Sequence, residues 1–238
     1  MLPGIYSIFQ HWGEQTVWIY SDPHFGDKDL DKGICGRPST EEQIASINSC
    51  VGRKDTLIIL GDVGDVEAVR KLRAGRKILI MGNHDAGRTN YERKFVSEVF
   101  ESKEIAMEEM AKKYPGWSVN VHLGKAGWIA HAENHLFDEI YEGALIVGEK
   151  LILSHEPVDI PWAFNIHGHD HAGAKRANHL NVCSDVIDYK PVNFNQFLKS
   201  GAMSKIQTIH RETIDKATER KKKRNKKNNK GDKYGLSK

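Results

Sequence analysis

The sequence predicts an α/β fold built around a parallel sheet that is covered on both faces. Residues 57–60 form a continuous apolar run of strand length, and residues 77–81 form another that is apolar after Lys77; each is stopped by a glycine. Residues 16–20 are rich in strand-forming side chains and precede both runs. Segments with helical spacing lie between these strands. Apolar strands that alternate with helices are typical of a buried parallel sheet.

The helices between these strands are predicted from spacing and from capping residues. The apolar residues in 44–51 recur on one helical face, and Thr40 and Gln43 have the spacing of a capping box. Asp65 is placed to cap a short helix. A third helix is expected to begin at Thr89 or Asn90 and to end near Phe100.

After residue 101 the pattern weakens, although residues 103–113 are predicted to be helical. Residues 117–135 show no clean period. Because 101–143 interrupts the sheet pattern with a long irregular stretch, we expect a lid, a specificity insert or a dimer contact there. The sequence leaves the oligomeric state open. Four later segments are expected to be strands, the first two of them a hairpin: 144–147, 151–154, 164–167 and 180–183.

Length and composition favour one soluble domain. The chain has 238 residues, of which 39% are hydrophobic and 28% charged. Its three cysteines are far apart and form no CxxC pair, which favours a reduced, cytoplasmic setting. Residues 1–20 lack the pattern of a secretory signal, and no stretch reaches the ~20 apolar residues of a membrane span.

The basic charge is concentrated at the C-terminus. Residues 216–238 contain eleven Lys or Arg and two acidic residues, so the remaining chain is mildly acidic. We therefore expect a folded domain over 1–215 and a disordered tail over 216–238. The tail leaves two interpretations open, which are nucleic-acid binding through its Lys and Arg side chains or a solubilising extension.

Five short motifs lie where predicted strands end, and each contains potential metal ligands. In open α/β sheets, sites form beyond the carboxyl ends of the strands, so these side chains are expected to converge. Glycines in the motifs allow the backbone to approach a metal closely. The set is large enough for two divalent cations with one histidine left over. The motifs are Asp22-Pro23-His24, Gly61-Asp62-Val63-Gly64-Asp65, Gly82-Asn83-His84-Asp85, Ser154-His155-Glu156 and Gly168-His169-Asp170-His171.

This ordered series resembles the calcineurin-like metallophosphoesterases, and the length resembles their small prokaryotic or phage-type members. The resemblance implies a two-sheet β-sandwich flanked by helices. It also implies one cation held by Asp22, His24, Asp62 and His171, and another held by Asp62, Asn83, His155 and His169, with Asp62 bridging. His84 would face the substrate and act on the phosphoryl group.

The expected chemistry is hydrolysis of phosphate esters. Two cations neutralise the phosphoryl oxygens and lower the pKa of a shared water, whose hydroxide attacks phosphorus in line. Ligands without thiolate suit Mn, Fe, Ni, Zn or Co, and the resemblance favours Mn. Arg37 and Arg88 are candidate substrate contacts because Arg binds phosphate well. For Asp85, capping a helix and orienting His84 are both open.

Four functions remain open at this stage. No cluster of Lys or Arg flanks the motifs to bind a terminal phosphate, so a phosphodiesterase for small-molecule or nucleotide substrates is the leading hypothesis. The basic tail motivates a nuclease as the alternative. A phosphomonoesterase is a further alternative, and a non-catalytic metal-bound scaffold would be expected to lack His84 or some ligands.

Overall fold

A computed structural model describes residues 16–34, 36–86, 91, 93–147, 150–206 and 209–231. Its main sheet has five strands, which are β1 (Val17–Tyr20), β2 (Thr56–Ile59), β3 (Arg76–Ile80), β7 (Glu139–Tyr141) and β12 (Val192–Asn193). The predicted strands β1–β3 form its parallel centre. Strand β12 pairs antiparallel with β1 at one edge, and β7 pairs parallel with β3 at the other.

A second sheet of four strands packs against the first and confirms the two-sheet prediction. Its strands are β8 (Leu145–Val147), β9 (Leu151–Leu153), β10 (Phe164–His167) and β11 (His179–Asn181). Their order is β11-β10-β9-β8; β9, β10 and β11 run parallel, and β8 and β9 form the expected antiparallel pair. Side chains from both sheets share one buried core, to which Val17, Ile58 and Ile78 contribute from the first sheet and Leu153 and Ile166 from the second.

Alternate residues of the central strands form a second core on the other face of the first sheet. Tyr20, Leu57 and Leu79 point there, because successive side chains of a strand face opposite ways. Two helices cover this face. They are α2 (Thr40–Cys50) and α3 (Val66–Arg70), and the short α1 (Lys28–Gly33) precedes them.

Of the two predicted helix caps, one is confirmed and the other is formed by neighbouring residues. Asp65 caps α3 by accepting from the Glu67 N–H, as expected. The capping box of α2 is formed by Ser39 and Glu42, one residue before the predicted pair. Both pairs have the required spacing, but Thr40 instead accepts a hydrogen bond from the Gly26 N–H.

A third sheet lies where the last part of the helix up to Phe100 was expected; the predicted start of that helix at Thr89 or Asn90 lies outside the described residues. Residues Lys94–Phe100 form β4, which pairs with β6 (Gly127–Asn134), and β6 also pairs with β5 (Ser118–Gly124). Side chains of β4 alternate between an open face and a face packed under the predicted helix α4 (Lys103–Lys113), so tertiary pairing decides the strand. The segment 101–143 is therefore mostly regular, and its role as a lid stays a prediction.

The basic C-terminal segment also differs from the expectation of disorder. A long helix, α6 (Ile209–Gly231), follows the short α5 (Phe194–Lys199). Lys, Arg, Ala and Glu are good helix formers. A segment with few apolar residues therefore cannot form a hydrophobic core of its own, but it can still form a helix. Residues 232–238 lie outside the described part. Over the described residues, no helix has both the length and the apolar character to cross a membrane.

Candidate metal centre

Loops at the carboxyl ends of five strands bring the predicted ligands together. Asp22, Asp62 and Asn83 follow β1, β2 and β3 of the first sheet, and His155 and His169 follow β9 and β10 of the second. Backbone hydrogen bonds join neighbouring loops, such as His24 N to Asp62 O at 2.9 Å. The site is therefore built across the edge where both sheets end.

The backbone at four of these residues is left-handed. Asp22, His24, Asp62 and His169 have φ of 54°, 43°, 53° and 65°, within a set of seven such non-glycine residues in the described chain. A left-handed non-glycine residue costs on the order of 1–3 kcal/mol and persists where the surrounding structure requires it. Such strain gathered in one place marks a functional site.

Two of the predicted glycines allow the loops to approach these carboxylates. A Cβ at Gly168 would overlap Ser21 Oγ and Asp22 Oδ2, and a Cβ at Gly82 would overlap Asp62 Oδ1. Any larger residue at either position would displace a carboxylate. The expected close approach of the backbone is therefore present.

The first group of ligand atoms contains two buried polar atoms with no hydrogen-bond partner among the described residues. They are Asp22 Oδ1 and His24 Nε2, which lie 4.0 Å apart. His171 Nε2 is 3.8 Å from Asp22 Oδ1, and Asp62 Oδ2 is 3.5 Å from His24 Nε2. Burial lowers the pKa of His24, which keeps its imidazole neutral and able to bind a metal. Unpartnered oxygen and nitrogen atoms at these separations fit a divalent cation.

The second group shares Asp62 with the first. Its Oδ2 lies 3.4 Å from His155 Nε2, while Oδ1 accepts from the His84 N–H at 2.9 Å. His155 Nε2 is also 2.9 Å from Asn83 Oδ1 and 3.1 Å from His169 Nδ1. One carboxylate oxygen thus faces ligand atoms of both groups, as bridging requires.

The electrostatics of the second group favour positive charge. Burial acts to lower the pKa of His155, but its hydrogen bond to Asp62 and the charges of Asp22 and Asp62 raise it to about 9. The same environment that holds a proton on His155 would hold a cation in its place. The residues present therefore fit the two divalent cations that were predicted.

His84 lies beside these groups but is much more accessible. Its side chain is 60% exposed, whereas those of His24 and His155 are buried. Its Nε2 is 4.0 Å from Asp62 Oδ2, and its ring is 5.4 Å from that of His24. His84 therefore lies at the exposed rim of the two groups.

Asp85 neither caps a helix nor contacts the His84 ring in the contacts described. It is fully buried, and its two oxygens accept from the backbone N–H groups of Asp62, Val63 and Gly82 and from the Tyr91 hydroxyl. It therefore fixes the loop that carries Asp62 against the loop that carries Asn83.

The candidate substrate contact at Arg37 is not supported by its position. Its side chain has no exposed surface, donates to Asp185 Oδ2 at 2.7 Å, and donates to the carbonyl oxygens of Asp22 and Pro23. A buried guanidinium held in this way has no face for substrate. Arg88 lies outside the described residues.

Two residues beside the site were missed by the sequence analysis. Asp185 Oδ2 is 2.5 Å from His171 Nδ1, and Cys183 Sγ is 3.4 Å from the same nitrogen. Burial raises the pKa of Cys183, so it stays a neutral thiol. Both residues follow β11, so the rule that sites form at carboxyl strand ends could have found them.

The comparison with family models decides the relationship. The model of the calcineurin-like phosphoesterases matches residues 15–189, which is most of the chain. The chain belongs to the calcineurin-like phosphoesterase family. The resemblance inferred from the five motifs is confirmed, and the matched range contains all seven predicted ligands and His84.

Two individual proteins are similar to this calcineurin-like phosphoesterase over different shares of the chain. The gene 66 protein of Mycobacterium phage L5 is 38% identical over 82 residues, which cover 29% of this chain and 40% of the phage protein. The match thus spans less than half of that relative. A crystal structure of a protein of unknown function from Aquifex aeolicus covers 78% of this chain and 98% of its own, with 22% identity and a TM-score of 0.48.

Proposed function

We propose that this protein is a dinuclear metal-dependent hydrolase of phosphate esters, and specifically a phosphodiesterase for small-molecule or nucleotide substrates. The observation that carries the proposal is Asp62, whose Oδ2 faces His24 on one side and His155 on the other at 3.5 and 3.4 Å. Asp22, His24, Asp62 and His171 would hold one cation. Asp62, Asn83, His155 and His169 would hold the other.

The two cations would supply positive charge against the phosphoryl oxygens and acidify the water that serves as nucleophile. The protein's own backbone N–H groups hold the ligand carboxylates in position. The His169 N–H holds Asp22 Oδ2 at 2.8 Å, which leaves Oδ1 directed at the site. The His84 N–H holds Asp62 in the same manner.

His84 is the proposed catalytic residue. Its exposed ring can donate a proton to the leaving oxygen, or a hydrogen bond to the phosphoryl group. Of the proposed ligand histidines, His24 and His155 are buried, whereas His169 is exposed but lies with its Nδ1 3.1 Å from His155 Nε2. The exposure of His84, together with its place outside both proposed ligand sets, supports a separate role.

Two cavities beside the site support a substrate with two ester groups. One of about 380 Å³ borders Asn83 and His155, and one of about 400 Å³ borders His24 and His84. The described residues lining them include no Lys or Arg but do include carboxylates, such as Glu142 and Asp65. Carboxylates would repel the second charge of a phosphomonoester, so a diester with two uncharged arms fits better.

Rates with model esters test this proposal. With added Mn²⁺, we expect a higher kcat/KM for bis-p-nitrophenyl phosphate than for p-nitrophenyl phosphate, and loss of both activities on chelation. A preference for the monoester would favour a phosphomonoesterase. Absence of turnover in protein shown to contain two cations would favour the scaffold hypothesis.

Helix α6 favours nuclease activity as the second candidate function. Residues 209–231 contain ten Lys or Arg and three acidic residues along a helix about 35 Å long. One face of α6 carries Lys216, Arg220, Lys221 and Arg224. Basic side chains along a helix can follow a nucleic-acid backbone.

The salt dependence of nucleic-acid binding tests this candidate. Replacing residues 221–224 by Gln should lower the slope of log K against log salt by up to about 3, because each phosphate contact contributes about 0.7–0.9. The control replaces four exposed lysines outside α6, which are Lys103, Lys112, Lys125 and Lys175. Equal slopes for the two variants would remove α6 as a binding element.

The proposal also includes the identity of the metal and the cellular compartment. Carboxylate, amide and imidazole ligands suit Mn²⁺, with Fe, Ni, Zn and Co as alternatives. Cys50 and Cys183 are free thiols, which supports a reduced, cytoplasmic setting. Elemental analysis of protein purified without chelator identifies the resident metal.

A further inference from the structure

A buried network joins Asp185 to two parts of the proposed first cation site. Asp185 Oδ2 lies 2.5 Å from His171 Nδ1 and accepts from Arg37 at 2.7 Å, while Oδ1 accepts from the Tyr189 hydroxyl. Arg37 in turn donates to the carbonyl oxygens of Asp22 and Pro23. The network therefore connects the loop after β11 with the loop that carries Asp22 and His24.

The chemistry of this contact defines the state of His171. An ionised carboxylate only accepts hydrogen bonds, so the hydrogen of a neutral His171 must be on Nδ1. Nε2 then has its lone pair free, and it points towards Asp22 Oδ1 at 3.8 Å. Both oxygens of Asp185 are already engaged, so Asp185 supports the ligand and does not itself bind the cation.

We propose that Asp185 and Arg37 are positioning residues for the first cation. Asp185 fixes the tautomer and the ring orientation of His171. Arg37 links the Asp185 carboxylate to the backbone carbonyl of Asp22. This inference rests on the proposed function, because it assumes that His171 and Asp22 bind metal. It adds that this network acts chiefly on the first cation, since the described hydrogen bonds of Asp185 and Arg37 are with His171 and the backbone of the Asp22 loop, and His169 is linked to them only through Asp22.

The tautomer of His171 is measurable in the unaltered protein. Long-range ¹H–¹⁵N spectra of histidine-labelled, Zn²⁺-loaded full-length protein should show the His171 proton on Nδ1, with Nε2 bound to the metal. The signal is identified by its loss in His171→Gln. A proton on Nε2 would overturn the proposal.

Calorimetric titration with Mn²⁺ tests the effect on affinity. Arg37→Met combined with Asp185→Asn removes both buried charges together, so neither is left unpaired. We expect one cation to bind about 10–100-fold more weakly and the other to bind as in the wild type. Asp159→Asn is the matched control, because it removes a carboxylate that bonds to His179 Nε2 at 2.9 Å.

A double-mutant cycle connects the loss to His171. In a His171→Gln background the paired substitution should cause a much smaller further loss of affinity, because the His171 part of its effect is gone and only the contact of Arg37 with the Asp22 loop remains. Equal weakening of both cations, no weakening, or full additivity with His171→Gln would each overturn the inference. Wild-type protein that binds fewer than two cations would instead contradict the proposed function, and this inference with it.

Discussion

Single residues at the site adopt conformations that the fold alone would avoid. Asp22, His24, Asp62 and His169 are left-handed, and Asp22 Oδ1 and His24 Nε2 are buried without a hydrogen-bond partner in the described chain. Both features cost stability in the absence of a ligand. A bound cation removes the second cost, which explains why a folded protein retains such an arrangement.

Asp62→Asn should weaken both cations at once. The amide keeps an oxygen to accept from the His84 N–H but places an uncharged NH₂ group where Oδ2 now faces His24 and His155. Metal titration should show both affinities reduced. Loss of one cation with the other unchanged would contradict the bridging role of Asp62.

His84→Ala should lower kcat by roughly 10²–10⁴-fold, the range expected for a general acid. The side chain is exposed and lies outside both proposed ligand sets, so metal content and stability should match the wild type. Metal analysis of the same sample serves as the control. Unchanged activity would remove the catalytic assignment and leave the metal site in place.

The central strands could be predicted from the sequence because their side chains are buried on both faces of the sheet. Residues 57–60 and 78–81 are apolar throughout, and short apolar runs that end at a glycine are typical of buried strands. The ligand positions could be predicted from the strands as well, because each of the five motifs lies just after a strand. The sequence therefore identified the residues that converge, although not their left-handed backbone.

The elements that were predicted wrongly depend on distant partners. Residues 94–100 form a strand because β6 and α4 lie beside them, and both come later in the chain. Arg37 was named as a candidate substrate contact because Arg suits phosphate, and no local signal indicated that it would instead bind Asp185, 148 positions away. Pairing over such distances leaves no periodic pattern in the sequence.

The loops after β2 and β3 depend on Asp85 for their mutual position. In Asp85→Ala three buried backbone N–H groups lose their acceptor, and each costs about 1–3 kcal/mol. We expect the free energy of unfolding to fall by about 3 kcal/mol or more. Chemical denaturation of the metal-free protein measures this change.

Tyr91→Phe is the matched control for the loop contacts. It removes only the hydroxyl that donates to Asp85 Oδ1 and should cost about 1 kcal/mol. Equal losses for the two variants would show that the backbone contacts of Asp85 add nothing to stability.

The proposed metal centre joins the two main sheets of the molecule. Ligands from β1, β2 and β3 belong to the first sheet, and those from β9 and β10 belong to the second. A cation between them binds the folded chain only, so it should raise the unfolding temperature.

Removing the cations should therefore destabilise the entire fold. At a hundredfold excess over Kd each cation contributes about 2.7 kcal/mol, which corresponds to about 5–10 °C for a chain of this size. Differential scanning calorimetry with chelator, and then with Mn²⁺ restored, measures the shift. An unfolding temperature that is independent of Mn²⁺ would argue against a centre shared by the two sheets.

The distribution of ligands along the chain also matters while the protein is being made. Asp22, Asp62 and Asn83 leave the ribosome long before His155, His169 and His171. A nascent chain therefore has three of the four proposed ligands of the first cation and two of the four of the second until residues 155–171 have emerged, and we expect it to stay catalytically silent during most of its synthesis. Hydrolytic activity would begin only when the late strands dock, which makes the first turnover a direct report that folding is complete.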